Sequence, residues 1–264
     1  MCRWIAYRGT TTALEHYVTA PAHSLIEQSL RARESLSSTN GDGFGLGWYA
    51  GHEEPGLYRE VRPAWSDENL RHLCRHIHSH LFFAHVRSST GTATTRPNCH
   101  PFAHGRWMFM HNGQIGEWPL IRRQIEALIP DEFYRSRVGT TDSEAVFLAI
   151  LGAGAEADPV GATTRMLGTM MGMVRRSGTK EPLRFTAALS DGRDLYAFRF
   201  CSNDTANTLY FRQVGTDVVI VSEPLDRDPA GWTVVPPGHF IVARDGETIV
   251  PRPLPGEDTR LAAE

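Results

Sequence analysis

From residue 185 to residue 250 the chain carries a run of short alternating or β-branched segments, each closed by a turn. They read FTAALSDG, DLYAFRF, TLYFRQV, DVVIVSEP and HFIVARDGETIV, the last with an Asp245-Gly246 hairpin signal. Such alternation specifies antiparallel strands that bury at least one face. The first half adds strands at residues 3–8, 44–49, 80–86 and 106–110, with a glycine-rich turn at 40–47. Helices are expected between them: residues 24–33 with Ser24 as N-cap and Glu27 three residues on, then 119–129, 142–151 and 159–176. No Pro/Ser-rich linker separates the halves, so the pattern predicts one α+β domain with two packed sheets over residues 2–250. The tail, 251–264, is rich in Pro, Gly and charge and reads as irregular.

Composition excludes several classes. With 264 residues, 41% of them hydrophobic, the chain can bury a large core without staples. A formal net charge of −3 lacks the basic excess that tracking phosphates requires, so nucleic acid is not an expected partner. Cys2, Cys74, Cys99 and Cys201 form no CxxC pair and no disulfide framework, which points to a reducing cytoplasm. No apolar run approaches the ~20 residues of a membrane span. The opening MCRWIAYRG has no apolar signal-peptide core. A soluble protein with Cys2 next to the initiator Met is the expectation.

Loss of Met1 would make Cys2 the terminal residue, and a terminal cysteine carries its own base. The freed α-amine, with an unperturbed pKa of roughly 7.7–8.0, can accept the thiol proton and generate a thiolate that attacks a carbonyl. Arg87 closes the apolar run before Ser88-Ser89-Thr90, where its planar fork can grip a carboxylate or simply join a surface ion pair. In Met108–Ile115 an apolar strand runs into Asn112-Gly113. That dipeptide is either a turn or an oxyanion hole built from the Asn112 side-chain amide and the Gly113 backbone N–H. Asp142, opening the helix at Gly139–Glu144, is either a first-turn acid or a carboxylate aimed at a substrate ammonium.

Two further patterns carry less. The formal G-x-G-x-x-A at 45–50 is followed by GHEEPG instead of a helix, so it reads as a turn entering a strand and not as a dinucleotide site. His76, His78 and His80 would share a face if extended. They also fit a helix ending into a strand, and no ligand-spaced Cys or carboxylate accompanies them, so no metal and no cofactor is expected. His23, His85, His100 and His111 read as core or turn histidines.

The order of motifs is specific: Cys after Met1, NGDGFG at 40–45, HVRSST at 85–90, NCHPF at 98–102, HNGQI at 111–115 and TTDSE at 140–144. The sequence resembles the class II glutamine amidotransferases, N-terminal-nucleophile hydrolases built as a four-layer αββα sandwich of two antiparallel sheets. Arg3 after the cysteine, and VSEPL at 221–225, resemble the stand-alone members. The resemblance implies that Cys2 is the nucleophile and that Asn112 and Gly113 form the oxyanion hole. It also implies that Arg87 holds the α-carboxylate of a γ-glutamyl substrate and Asp142 its α-ammonium.

The reaction so implied is hydrolysis of a γ-glutamyl amide through a thioester on Cys2, releasing ammonia or an amine and then glutamate. The partner is glutamine or a γ-glutamyl small molecule, with a separate acceptor subunit where released ammonia is used. A motif run of this kind is similar to amidotransferase-like proteins acting on γ-glutamyl thiols. A catalytically idle binding or regulatory subunit is the alternative reading.

Overall fold

The computed structural model describes residues 2–34, 39–89 and 91–256. Met1, whose removal the terminal-cysteine chemistry requires, Thr90 and residues 257–264 of the expected tail lie outside the described residues.

The first half contains β1 (Arg3–Ala13), α1 (Glu15–Val18), α2 (Leu25–Leu30), β2 (Phe44–Trp48), β3 (Gly56–Glu60), α3 (Glu68–His76), β4 (His78–Val86), β5 (Phe102–His104) and β6 (Trp107–Ile115). Helices α4 (Trp118–Glu126), α5 (Asp131–Tyr134), α6 (Asp142–Gly152) and α7 (Pro159–Ser177) follow. Strands β7 (Leu183–Ser190), β8 (Leu195–Cys201), β9 (Tyr210–Val214), β10 (Asp217–Val221), β11 (Thr233–Val234), β12 (His239–Ala243) and β13 (Arg252–Pro253) complete the chain. One sheet has the order β11-β9-β10-β1-β4-β2-β3, the other β13-β12-β8-β7-β6-β5, and every pairing is antiparallel.

The two sheets stack with helices on both outer sides, the expected αββα sandwich. Alternation along each central strand makes the layers. Trp4 and Ala6 of β1, with Leu81 and Phe83 of β4, meet Met108, Met110 and Ala188 of the facing sheet. Ile5, Tyr7, Phe82 and Ala84 turn the other way, onto Val18, Leu25 and Leu70 of the first helical layer. Phe109, Phe185 and Phe198 pack on α4, α6 and α7. Because both faces of both sheets are covered, these strands read as nearly continuous apolar runs. Helix α6, buried on all sides from Ser143 to Leu151, is the innermost helix and fixes what its N-terminus presents.

Several local expectations change. Helix α2 ends at Leu30, although Ser24 caps it by accepting the Glu27 N–H. Strand β6 runs on to Ile115, so Asn112-Gly113 lies inside a strand and the turn reading is wrong. Gly246 is in the left-handed region at φ 70°, yet no tight hairpin forms. Strand β12 instead pairs with β13 across a longer loop, Phe240 opposite Arg252, and Leu254 beyond it is buried. The segment from 251, read as irregular, thus contributes a short strand. Among the described residues no helix is long and apolar enough to cross a membrane.

Candidate active site

Antiparallel pairing of β1 with β4 sets Arg3 opposite Val86, which places Cys2 beside the segment leaving β4. There the Ser88 N–H donates to Cys2 Sγ at 3.4 Å, and the thiol points to the Ser88 carbonyl at 3.6 Å. Cys2 is half-buried and lines a cleft together with Arg87, Asn112, Gly113, Asp142 and Arg184. Burial pushes its thiol above the ordinary range, opposed by the Ser88 N–H and by the charges of Arg87 and Arg3. A thiol held up in this way stays protonated near neutrality and needs a base when it attacks.

Arg87 is 3% exposed. Its guanidinium donates to Ser89 Oγ (3.1 Å), Thr92 Oγ1 (2.6 Å) and the Asp42 carbonyl (3.4 Å). The 40–45 turn holds that strand end in place: Asp42 N–H donates to the Arg87 carbonyl, Arg87 N–H to that of Gly43, and Ser89 N–H to Asp42 Oδ2. Among the described residues no carboxylate lies within 4.0 Å of either Arg87 or Arg184. A buried guanidinium without a counterion is unfavourable unless an anion arrives, because desolvation is then uncompensated. The expected surface ion pair is absent among these residues.

Strand β5 pairs with β6 only as far as Phe109, whereas β7 follows β6 to Ile115. Beyond Phe109 one edge of β6 is therefore open toward the cleft. Ile115 N–H, on that edge, donates to Asp142 Oδ2 at 3.1 Å. N–H groups two residues apart on a strand point the same way, so Gly113 N–H points out of the same edge. The Asn112 side-chain Nδ2 is buried and has no hydrogen-bond partner among the described residues. Asn112 and Gly113 both line the cleft that Cys2 lines, and two such donors together are what an oxyanion requires. Gly113 is obligatory here: a Cβ would sit 2.0 Å from the Arg184 carbonyl and 2.4 Å from His111 Nε2.

Asp142 reaches the cleft at the start of α6, whose N-cap Thr141 accepts the Glu144 N–H at 3.2 Å. Glu144 accepts from Val138 N–H (3.1 Å) and Gly139 N–H (2.7 Å), shaping the loop before the helix, and its burial pushes its carboxyl up. Asp142 is thus both a first-turn acid and a cleft carboxylate. One of its oxygens accepts from Ser143 N–H at 2.7 Å.

All five residues expected at the site, Cys2, Arg87, Asn112, Gly113 and Asp142, line this one cleft. The histidines divide. His85 and His100 stack with ring centroids 4.2 Å apart, both buried, with His100 at the cleft wall, and His111 bonds Ser143 Oγ at 2.9 Å. Helix α3 ends at His76 and β4 opens at His78, which sets His76 apart from His78 and His80 on the strand.

Other contributors gave little or no sequence signal. Asn98, in the NCHPF segment, ties the 140 loop by accepting Thr140 N–H at 2.8 Å and donating to the Ala93 carbonyl at 2.9 Å. Gly45 lets that segment cross β2, since a Cβ there would lie 2.2 Å from the His100 carbonyl. Asn207 and Arg184 come from the strand-rich second half, where no local pattern marks them.

Comparison with known proteins agrees with this geometry. Residues 15–214 match the family described as glutamine amidotransferases class-II. The chain is 31% identical to a probable glutamine amidotransferase of Saccharomyces cerevisiae, covering 96% of this chain and 84% of that protein. It is 30% identical to the gamma-glutamyl-hercynylcysteine sulfoxide hydrolase of Mycolicibacterium smegmatis, covering 95% and 99%. The structure of a glutamine aminotransferase class-II domain protein from Silicibacter pomeroyi is similar at a TM-score of 0.76 and 39% identity, over 97% of this chain and all of that one. With the order of motifs, the stacked antiparallel sheets and these matches in agreement, the chain belongs to the class II glutamine amidotransferase family.

Proposed function

We propose that this chain hydrolyses γ-glutamyl amides through a γ-glutamyl thioester on Cys2 after Met1 is removed. The observation that carries the reading is the buried Asn112 Nδ2, unpartnered among the described residues, in the cleft lined by the Cys2 thiol. Arg87 receives the substrate α-carboxylate and Asp142 its α-ammonium, which sets the γ-carbonyl over the sulfur. The α-amine of Cys2 takes the thiol proton as Sγ bonds to the γ-carbon. The carbonyl oxygen becomes an oxyanion between Asn112 Nδ2 and Gly113 N–H. Collapse breaks the C–N bond, and the leaving amine departs with the proton held by the α-ammonium. Water, deprotonated by the same amine, then cleaves the thioester and frees glutamate.

Arg184 bears on the leaving group. It is two residues from Thr186 on β7, whose register partner is Asn112, so Arg184, Gln114 and Asn112 share one sheet face. The Arg184 guanidinium bonds only Thr205 Oγ1, at 3.4 Å, among the described residues. A cation left over after Arg87 and Asp142 have taken the zwitterionic head favours a leaving amine that carries a carboxylate, as in γ-glutamyl amino acids, over free ammonia. The S. cerevisiae and M. smegmatis relatives support the general reaction, since the second is named for removing a γ-glutamyl group.

The test is intact-mass spectrometry of the natively produced protein before and after treatment with 6-diazo-5-oxo-L-norleucine, with peptide mapping. Loss of Met1 and a single adduct on Cys2 are expected, and Cys2→Ser should take none. A processed protein that takes no adduct would point instead to an idle, non-catalytic module.

A further inference from the structure

Glu223 is 1% exposed, yet its carboxylate is the most heavily engaged acid outside the cleft among the described residues. Its Oε1 lies 2.5 Å from His23 Nε2 and accepts the Arg33 N–H at 2.8 Å, while Oε2 accepts the Glu34 N–H at 3.1 Å. Arg3 Nε sits 3.0 Å from the same Oε2 as an ion pair, and Arg3 is fully buried. The rest of the Arg3 fork is committed as well. One terminal nitrogen donates to the Cys2 carbonyl at 3.1 Å, and the other donates to the Glu34 carbonyl. The neighbouring Ser222 grips the next residue from both sides, accepting the Trp4 N–H on Oγ at 2.9 Å and donating its own N–H to the Trp4 carbonyl at 3.1 Å.

Fold maintenance alone does not require this arrangement. Residue 3 already lies on β1, paired with Val86 of β4, and well-packed apolar side chains commonly replace a buried ion pair without loss of stability. What the pair adds is a fixed point one peptide from the thiol. Residue 2 precedes the first residue of β1, so no regular ladder holds it. Its carbonyl is held by Arg3 and its sulfur by Ser88. Rotation about the Cys2 backbone would move the α-amine and the thiol relative to each other and to the oxyanion donors. Displacements of the order of 1 Å at a reacting centre are enough to cost on the order of 10²-fold in rate.

We propose that Glu223 is a positioning residue for the nucleophile: through the Arg3 guanidinium it locks the Cys2 carbonyl, and with it the geometry of the terminal amine and thiol. The same carboxylate fastens the 33–34 backbone across the N-terminal residue, so the VSEPL segment after β10 acts on catalysis from outside the cleft. Lys at position 3 would keep a charge but not the fork that reaches Glu223, Cys2 and Glu34 together. Arg3 also contributes positive potential that works against the upward push of burial on the thiol.

The inference rests on the Cys2 mechanism, so alkylation of wild-type Cys2 by 6-diazo-5-oxo-L-norleucine is established first, and its failure would sink that mechanism and not the positioning role alone. With labelling in hand, three variants are compared: Arg3→Lys, Glu223→Gln, and the double change Arg3→Gln with Glu223→Gln. The double variant removes both buried charges together and so keeps a folded protein available if Glu223→Gln alone does not fold. Steady-state kinetics on γ-glutamyl-alanine, the rate of Cys2 alkylation against pH, and Tm are recorded for each.

A positioning role predicts that kcat and the alkylation rate fall at least about tenfold in Arg3→Lys and in the double variant, well below their Tm, with KM within about twofold. The pH dependence of alkylation should shift, because amine and thiol no longer share a fixed geometry. Folded variants with lowered Tm but wild-type kcat, alkylation rate and pH profile would overturn the proposal and leave Glu223 a purely structural residue.

Discussion

Asn207 Nδ2 donates to the Asn112 carbonyl at 3.0 Å, tying a loop from the second half of the chain to the strand that carries Asn112 and Gly113. Asn207 is itself fixed, because the buried Arg199 donates to its carbonyl at 2.7 Å and to that of Val235 at 2.6 Å. Residue 112 and the proposed oxyanion donors are therefore braced from β8 as well as by their own strand. Asn207→Ala removes this side-chain bond to the Asn112 carbonyl and frees residue 112 to shift. A fall in kcat of about tenfold, close to 1.4 kcal/mol of transition-state stabilisation, is expected with little change in KM. Steady-state kinetics on a γ-glutamyl anilide would show it, and an unaltered kcat would mean that β6 alone holds the donors.

Arg87→Lys should raise KM for γ-glutamyl substrates by about tenfold or more while leaving the fold intact. A point charge cannot reach Ser89, Thr92 and a substrate carboxylate at once. The comparison that matters is KM for the natural α-carboxylate against its methyl ester. The wild type should discriminate strongly between the two and the variant weakly.

Arg184 yields a prediction about leaving groups. γ-Glutamyl-alanine and γ-glutamyl-alaninamide differ only in the charge on the released amine. The wild type should prefer the carboxylate form in kcat/KM by about tenfold, and Arg184→Gln should abolish the preference without altering the rate on the amide. Equal wild-type rates on the pair would remove Arg184 from substrate selection while leaving the thioester route intact.

The buried histidines His85, His100 and His111 give a pH dependence of stability. Burial pushes His85 down to about 3 and His100 well below the ordinary range, and burial also lowers His111, opposed by the Asp142 charge. The unfolded chain takes up protons on these residues near pH 6.5, whereas the folded chain does not. Their folded pKa values are depressed, so the stability they confer is complete above about pH 6.5. It is lost as pH falls from there, for His85 down toward about 3.

His85 contributes a slope approaching about 1.4 kcal/mol per pH unit between about 6.5 and about 3, and His100 and His111 act in the same direction. The buried Glu144 carboxyl, pushed up, works in the opposite sense. Urea unfolding at about pH 7.5 and about pH 5.5 checks this, and a midpoint that does not drop at the lower pH would contradict it.

Much of this protein was legible from local pattern. The alternation in FTAALS, DLYAFRF and DVVIV specified strands because a pleated segment sends successive side chains to opposite faces, and these became β7, β8 and β10. Ser24 marked a helix start because it offers an oxygen to an otherwise unpaired N–H, and it does so here. Cys2, Arg87, Asn112, Gly113 and Asp142 stood out because each lies where an element begins or ends, or in a short motif whose chemistry is local.

Tertiary structure decided the rest. Whether Asn112-Gly113 turns or continues as strand depends on β7 pairing as far as Ile115. Whether its edge is open depends on β5 stopping opposite Phe109. The placements of Asn207, Arg184 and Glu223 depend on sheet register across contacts up to about two hundred residues apart. Periodicity along one strand records which face is buried. It carries no information on which distant strand lies alongside, and that second fact places Cys2 in one cleft with Arg87, Asn112, Gly113 and Asp142.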